Sequence, residues 1–158
     1  MAQEIEQLVK DKQGRQYQMK GDYDDETGLL VVKLRYQNQE VGRTQCILYP
    51  SGEMKIGDLI IFDDVVHTPK NLRQWLKQKV SKPKPENYRN NGLGTHLLKF
   101  ALDFAHLKGV KHVHGVLTQN DINTTPGLAN WYRKYGFQLN PPAPEDPPAT
   151  VHRISRWL

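Results

Sequence analysis

The chain has 158 residues, a quarter of them charged, and 22 Lys/Arg against 17 Asp/Glu give a formal net charge of +5. That length can bury one sizeable core, and no apolar run approaches the eighteen or so residues of a membrane span. The polar, acidic start Met-Ala-Gln-Glu-Ile-Glu-Gln does not read as a secretory signal, and one cysteine, Cys46, cannot form an internal disulfide, so a cytoplasmic protein is expected.

In chain order, residues 3–10 read as a short helix with Ile5, Leu8 and Val9 inward. Residues 16–23 read as a strand, followed by the turn Asp24-Asp25-Glu26-Thr27-Gly28. Leu30, Val32, Leu34 and Tyr36 alternate as in a half-buried strand, and 41–49 forms its hairpin partner. Cys46 lies in that run as a small core residue. Residues 53–66 make a further strand, almost wholly apolar from Leu59 to Phe62 and therefore expected to be central and buried on both faces. Pro69 opens a short helix with Leu72, Trp75, Leu76 and Val80 as its apolar stripe, Trp75 as its core anchor and Pro83 as its stop.

Charge is unevenly placed. Residues 1–66 carry a net −4, residues 67–111 a net +8 and residues 112–158 a net +1. The basic stretch surrounds Arg89-Asn90-Asn91-Gly92-Leu93-Gly94-Thr95. Two glycines there precede a helical pattern in which Leu93, Leu97, Ala101, Phe104 and Ala105 share a face. A helix starting at such a loop leaves its first N–H groups unpaired at the positive end of the helix dipole, an anion site suited to phosphate. The segment is neither a P-loop, since no Lys-Ser or Lys-Thr follows, nor a dinucleotide fingerprint, since position 97 is Leu. Gly109 ends the helix, and 112–118 is a strand. Within it His112 and His114 share a face, but no third residue has metal-ligand spacing, so no metal is expected. The tract 140–149, with five prolines, is a stiff loop before a last strand at 150–158.

From 55 to 140 the chain resembles the GNAT superfamily of N-acetyltransferases. That family's loop, Arg/Gln-x-x-Gly-x-Gly/Ala, is matched by Arg89-Asn90-Asn91-Gly92-Leu93-Gly94. Its later Tyr-x-x-x-Gly-Phe is matched by Tyr132-Arg133-Lys134-Tyr135-Gly136-Phe137. The resemblance implies a single α+β domain, a mixed and mostly antiparallel sheet flanked by helices, that binds acetyl-CoA through Arg89 to Thr95. It implies direct transfer to an amine acceptor in a ternary complex. The acceptor is read as a small molecule, a peptide or a protein; no membrane is expected among the partners, nucleic acid is disfavoured for want of interleaved aromatics, and a homodimer is compatible. Two departures stand out. The family places two helices between its first and second strands, where only a turn occurs here, and roughly twenty residues are inserted after Val66. The inserted helix is expected to replace the missing pair in part.

Acetyl transfer requires a neutral amine, and carboxylates at the end of the central strand can take its proton. Asp63 and Asp64 occupy that place, one per face by strand alternation. Relatives supply oxyanion donors from central-strand N–H groups, which here implies Val65 and Val66. They protonate the departing thiolate with a tyrosine, which implies Tyr132, with Tyr135 as the neighbouring alternative. They also carry an asparagine after the strand that makes the last CoA contacts, which leaves Asn120 or Asn123. A rival reading keeps the fold but makes the chain a non-catalytic CoA-binding module.

Overall fold

The computed structural model describes residues 2–67, 69–81 and 84–158. Five strands come first: β1 (Ala2–Lys10), β2 (Gln16–Asp24), β3 (Leu29–Tyr36), β4 (Gln39–Leu48) and β5 (Glu53–Ile61). Then follow α1 (Leu72–Val80), α2 (Leu93–Leu107), β6 (His112–Thr118), α3 (Gln119–Thr124), α4 (Leu128–Lys134), β7 (Gln138–Asn140) and β8 (Thr150–Trp157). The strands form one eight-stranded sheet in the order β1-β2-β3-β4-β5-β6-β8-β7. The first five run as an antiparallel meander, β5 and β6 are parallel, and β8 is antiparallel to both β6 and β7. The fold is α+β with a mostly antiparallel mixed sheet.

The core lies between one sheet face and α2. Leu97, Leu98, Ala101, Phe104 and Ala105 are buried against Met19, Val32, Leu34, Cys46, Met54 and Ile56, which alternate inward along their strands. Gly21 is small because Phe100 crosses it: a Cβ there would stand 2.6 Å from the ring. The opposite face of β1–β5 carries Glu4, Glu6, Gln16, Gln18, Lys33 and Arg35, and among the described residues no helix packs upon it, which antiparallel sheets tolerate when that face is polar.

Several expectations are corrected. Residues 2–10 are a strand, in register with β2 through Val9↔Tyr17 and Ile5↔Gly21. Ile5 and Val9 face the core, whereas Leu8 points out with 65% exposure, so pairing with β2 overrides a helical pattern of only three apolar residues. Strand β5 ends at Ile61, five residues early. A bulge at Gly57 shifts its register with β4, from Cys46↔Ile56 to Gln45↔Asp58. Residues 59–62 are only partly buried, because β6 leaves β5 beyond Ile56↔Gly115. The helix read from Pro69 begins at Leu72, capped by Asn71, whose side chain accepts the Gln74 N–H at 2.9 Å. Pro83 lies outside the described residues, and Trp75 is 43% exposed rather than a core anchor. With no buried residue, α1 does not cover the sheet in place of a helix pair.

Candidate active site

The parting of β5 and β6 creates the site. Their parallel pairing runs from Glu53↔His112 to Ile56↔Gly115 and stops, leaving the later halves of both strands on either side of a gap. The Gly57 bulge bends β5 away at that level. Phe62 N–H donates to the Val41 carbonyl at 2.9 Å. Backbone direction alternates along an antiparallel ladder, so the N–H groups of Leu59 and Ile61 turn from β4 toward the gap. The bulge also changes which side chains face outward: Asp58 and Ile60, paired with Gln45 and Arg43, stand on the helix-free face beside the gap.

At the mouth of the gap lies the start of α2. Its N-cap is Gly92, in the left-handed region at φ 81°, with no side-chain cap. The N–H groups of Leu93, Gly94 and Thr95 therefore point outward without an intrahelical partner, the arrangement that binds phosphate. Asn90 also has positive φ, at 63°, which asparagine adopts more readily than most residues. Gly94 is different: a Cβ there would meet Leu59 and Trp131 at 3.6 and 3.7 Å, ordinary contact distances, so neither its backbone nor its packing requires a glycine.

The rest of the loop is held from two sides. Arg89 donates through Nε to the Ile61 carbonyl at 3.0 Å and pairs with Asp63 at 3.2 Å, clamping the end of β5 to the loop. Asn91 turns its side-chain amide onto the Arg89 carbonyl at 3.1 Å. Its own carbonyl accepts the Lys12 N–H at 3.1 Å, so the turn between β1 and β2 buttresses the loop. That turn is set by Asp11, which accepts from Tyr17 Oη at 2.8 Å and Arg15 Nε at 2.7 Å, and from the N–H groups of Gln13 and Arg15. Burial alone would raise the Asp11 carboxyl, but these donors outweigh it and hold the carboxyl at about 2. The Lys12 side chain runs with Cγ and Cε 3.7 Å from where a Cβ on Gly92 would sit, so its stem passes beside the start of α2. Neither Asp11 nor Lys12 carries a sequence signal, because the hairpin turn meets the loop only in the folded sheet.

Other expected site residues are more dispersed. Val65 N–H donates to the Glu86 carbonyl at 3.0 Å and Val66 is 47% exposed, both beyond the end of β5 and outside the gap. Asp63 is engaged with Arg89, and Asp64 is exposed on the same irregular segment, so strand alternation does not govern them. Asn120 is exposed on α3, whose start Thr118 and Asp121 close as a capping box, while Asn123 accepts from Gln119 at 2.9 Å. Tyr132 sits on α4 at 4% exposure, edge-on to Trp131 and Phe137. Burial pushes its hydroxyl well above the usual phenol range, with Cys46 and Asp121 adding to the effect, so it stays protonated at neutral pH. Among the described residues that hydroxyl has no hydrogen-bond partner, whereas Tyr135 Oη bonds Thr95 Oγ1 at 2.8 Å at the start of α2. Cys46 is fully buried, and burial pushes its thiol up to about 12. His112 stacks between His114 and Trp157 on the helix-free face, and no cluster of three or more His, Cys, Asp or Glu forms among the described residues.

No protein-family model matches the chain, and no curated protein does. Solved structures do match in fold. PaiA N-acetyltransferase from Thermoplasma acidophilum, in complex with coenzyme A, is 14% identical with a TM-score of 0.55, over 83% of this chain and 62% of that one. The chain thus spans less than two thirds of that enzyme's length. A GNAT-family acetyltransferase from Elizabethkingia anophelis with acetyl-CoA bound is 16% identical at a TM-score of 0.54, covering 83% and 77%. The ribosomal-protein-S18-alanine N-acetyltransferase from Escherichia coli is 12% identical at 0.55, covering 82% and 69%. At these identities the likeness is one of fold: the chain has the fold of the GNAT N-acetyltransferases.

Proposed function

We propose that this chain is an acetyl-CoA-dependent N-acetyltransferase that transfers the acetyl group directly to an amine. The observation that carries the reading is an uncapped helix start, with Gly92 in the left-handed region, at the mouth of a gap between two parallel strands. Those features fit the two halves of coenzyme A. The N–H groups of Leu93, Gly94 and Thr95 hold a pyrophosphate, with the Lys12 side chain beside them, and one of the Leu59 and Ile61 N–H groups bonds an extended amide chain laid in the gap, leaving the other for the acetyl group. Bound there, acetyl-CoA supplies an activated acetyl thioester.

The chain's own groups then do the following. Asp58, on the helix-free face beside the gap, takes a proton from an amine arriving on that face, and replaces Asp63 and Asp64 as the favoured base because Asp63 is committed to Arg89. The Leu59 or Ile61 N–H faces the acetyl oxygen and stabilises the charge that develops there. Tyr132, buried on α4 with no hydrogen-bond partner for its hydroxyl among the described residues, gives its proton to the departing sulfur. Cys46 takes no part as an acyl carrier, since its thiol is buried and holds its proton. Asn120, exposed on α3 just after β6, meets the remainder of the cofactor in this reading.

Thiol release from acetyl-CoA, measured against a panel of small amines, peptides and lysine-bearing proteins with hydrolysis as control, tests the reading. Asp58→Asn should lose rate at neutral pH and recover part of it as pH rises, because more of the amine is then already neutral, while Asp63→Asn and Asp64→Asn stay closer to wild type. Thermal melts with coenzyme A form the second arm. At about 100 times the dissociation constant, linkage predicts about 2.7 kcal/mol of stabilisation. No shift at saturating coenzyme A removes the cofactor assignment. A shift without turnover on any acceptor identifies a non-catalytic CoA-binding module.

A further inference from the structure

Helix α1 is built inside out. Its wheel places Trp75, Leu72, Leu76 and Val80 on one arc of about 140°, with Gln78 on the other side. A surface helix ordinarily turns such a stripe inward, but here the stripe faces solvent: Leu72 is 70% exposed, Leu76 51% and Val80 91%. Gln78 is the one residue of the helix that is not exposed, and its Nε2 donates to the His67 carbonyl at 3.3 Å. Gln74, on the same side, accepts the Lys70 N–H at 2.9 Å. The helix is thus tied to the chain before it through the polar Gln78 and presents its apolar side chains outward.

The charge around that stripe has one sign. From Val65 to Pro85 the sequence holds six Lys/Arg and no Asp or Glu. Lys79 lies over the Trp75 ring at 3.9 Å, and Arg73 and Lys77 border the stripe. Among the described residues none of Lys70, Arg73, Lys77 and Lys79 has a carboxylate partner. We propose that α1 docks this domain on an anionic phospholipid surface, lying in the headgroup plane with Leu72, Trp75, Leu76 and Val80 inserted and the cations on lipid phosphates.

Lipid is favoured over a protein partner by size. Nine residues span about 14 Å, and four side chains on them fall short of the roughly 800 Å² per partner that a stable protein complex buries. A bilayer needs no matching groove and lets every flanking cation contribute. A second copy set face to face would bring two cationic stripes together. The proposal is independent of the acetyl-transfer reading.

Co-sedimentation of the full chain with phosphatidylglycerol/phosphatidylcholine vesicles, against phosphatidylcholine alone, tests it. The protein should bind the anionic vesicles about tenfold or more better, and added salt should release it. Leu76→Glu/Val80→Glu and Arg73→Gln/Lys77→Gln/Lys79→Gln should each cut binding about tenfold. Circular dichroism should stay unchanged in both, since every altered side chain is exposed. Failure to sediment with anionic vesicles at low salt overturns the proposal, as does binding that survives Leu76→Glu/Val80→Glu. Binding to polyuridylate with vesicles ignored, or a dimer in light scattering that the double variant dissolves, overturns it in favour of nucleic acid or self-association.

Discussion

The two glycines of the loop should behave differently when each is changed to alanine. Gly92 sits at φ 81°, where an L-residue costs about 1–2 kcal/mol. A methyl there meets only the Lys12 side chain, at 3.7 Å, so backbone strain is the whole penalty. For a domain of this length about 1 kcal/mol corresponds to roughly 2–4 °C in Tm, so Gly92→Ala should melt roughly 2–8 °C lower. Gly94 lies inside the first turn of α2 at negative φ, and its Cβ would touch Leu59 and Trp131 at 3.6 and 3.7 Å, ordinary contact distances. Alanine there recovers up to about 1 kcal/mol of helix propensity, so Gly94→Ala should melt unchanged or roughly 2–4 °C higher. Thermal denaturation followed by circular dichroism, without ligand, separates the two. A loss at Gly94 equal to or greater than that at Gly92 would refute the reasoning, because the left-handed backbone would then not be what the first glycine supplies.

Tyr132→Phe should lower turnover by roughly 10²–10⁴-fold with coenzyme A affinity nearly unchanged, since the ring and its packing against Phe137 remain; steady-state kinetics beside calorimetric titration checks this. Asp11→Asn should cost about 2–3 kcal/mol at neutral pH in urea melts, by leaving Arg15 and Tyr17 without their charged acceptor. Its pH dependence has a definite sign: the Asp11 carboxyl is lowered from the ordinary 3.8 to about 2, so its contribution is complete above 3.8 and fades as pH falls towards 2. The wild-type advantage over Asp11→Asn should shrink across that window, and an advantage that is constant or grows on acidification argues against the network. Cys46 should resist iodoacetamide in the native protein and react once it is unfolded, because its thiol is buried and protonated. Rapid native labelling, read by mass spectrometry, would contradict that burial.

Local signals were enough for much of this protein. The apolar face of α2 repeats every 3.6 residues, the glycines mark its start, and the alternation of Leu30, Val32 and Leu34 marks a strand whatever it pairs with. Those patterns, with Tyr132 to Phe137 at the right distance, made the fold class and the glycine-led start of α2 legible in one dimension. What depended on partners distant in the chain was not. Residues 2–10 became a strand because β2 offered an unpaired edge, a pairing free energy that three apolar residues do not encode locally. The single extra residue at Gly57 moved Asp58 to the helix-free face and turned Leu59 and Ile61 N–H groups into the gap, while the expected donors Val65 and Val66 lay beyond the strand. Arg89, read as a cofactor contact, is held by Asp63 and the Ile61 carbonyl, and Lys12 reaches the loop from a hairpin nearly eighty residues earlier. Periodicity reports which side of an element is apolar; which side is covered, as α1 shows with its stripe in solvent, is decided only by what packs there.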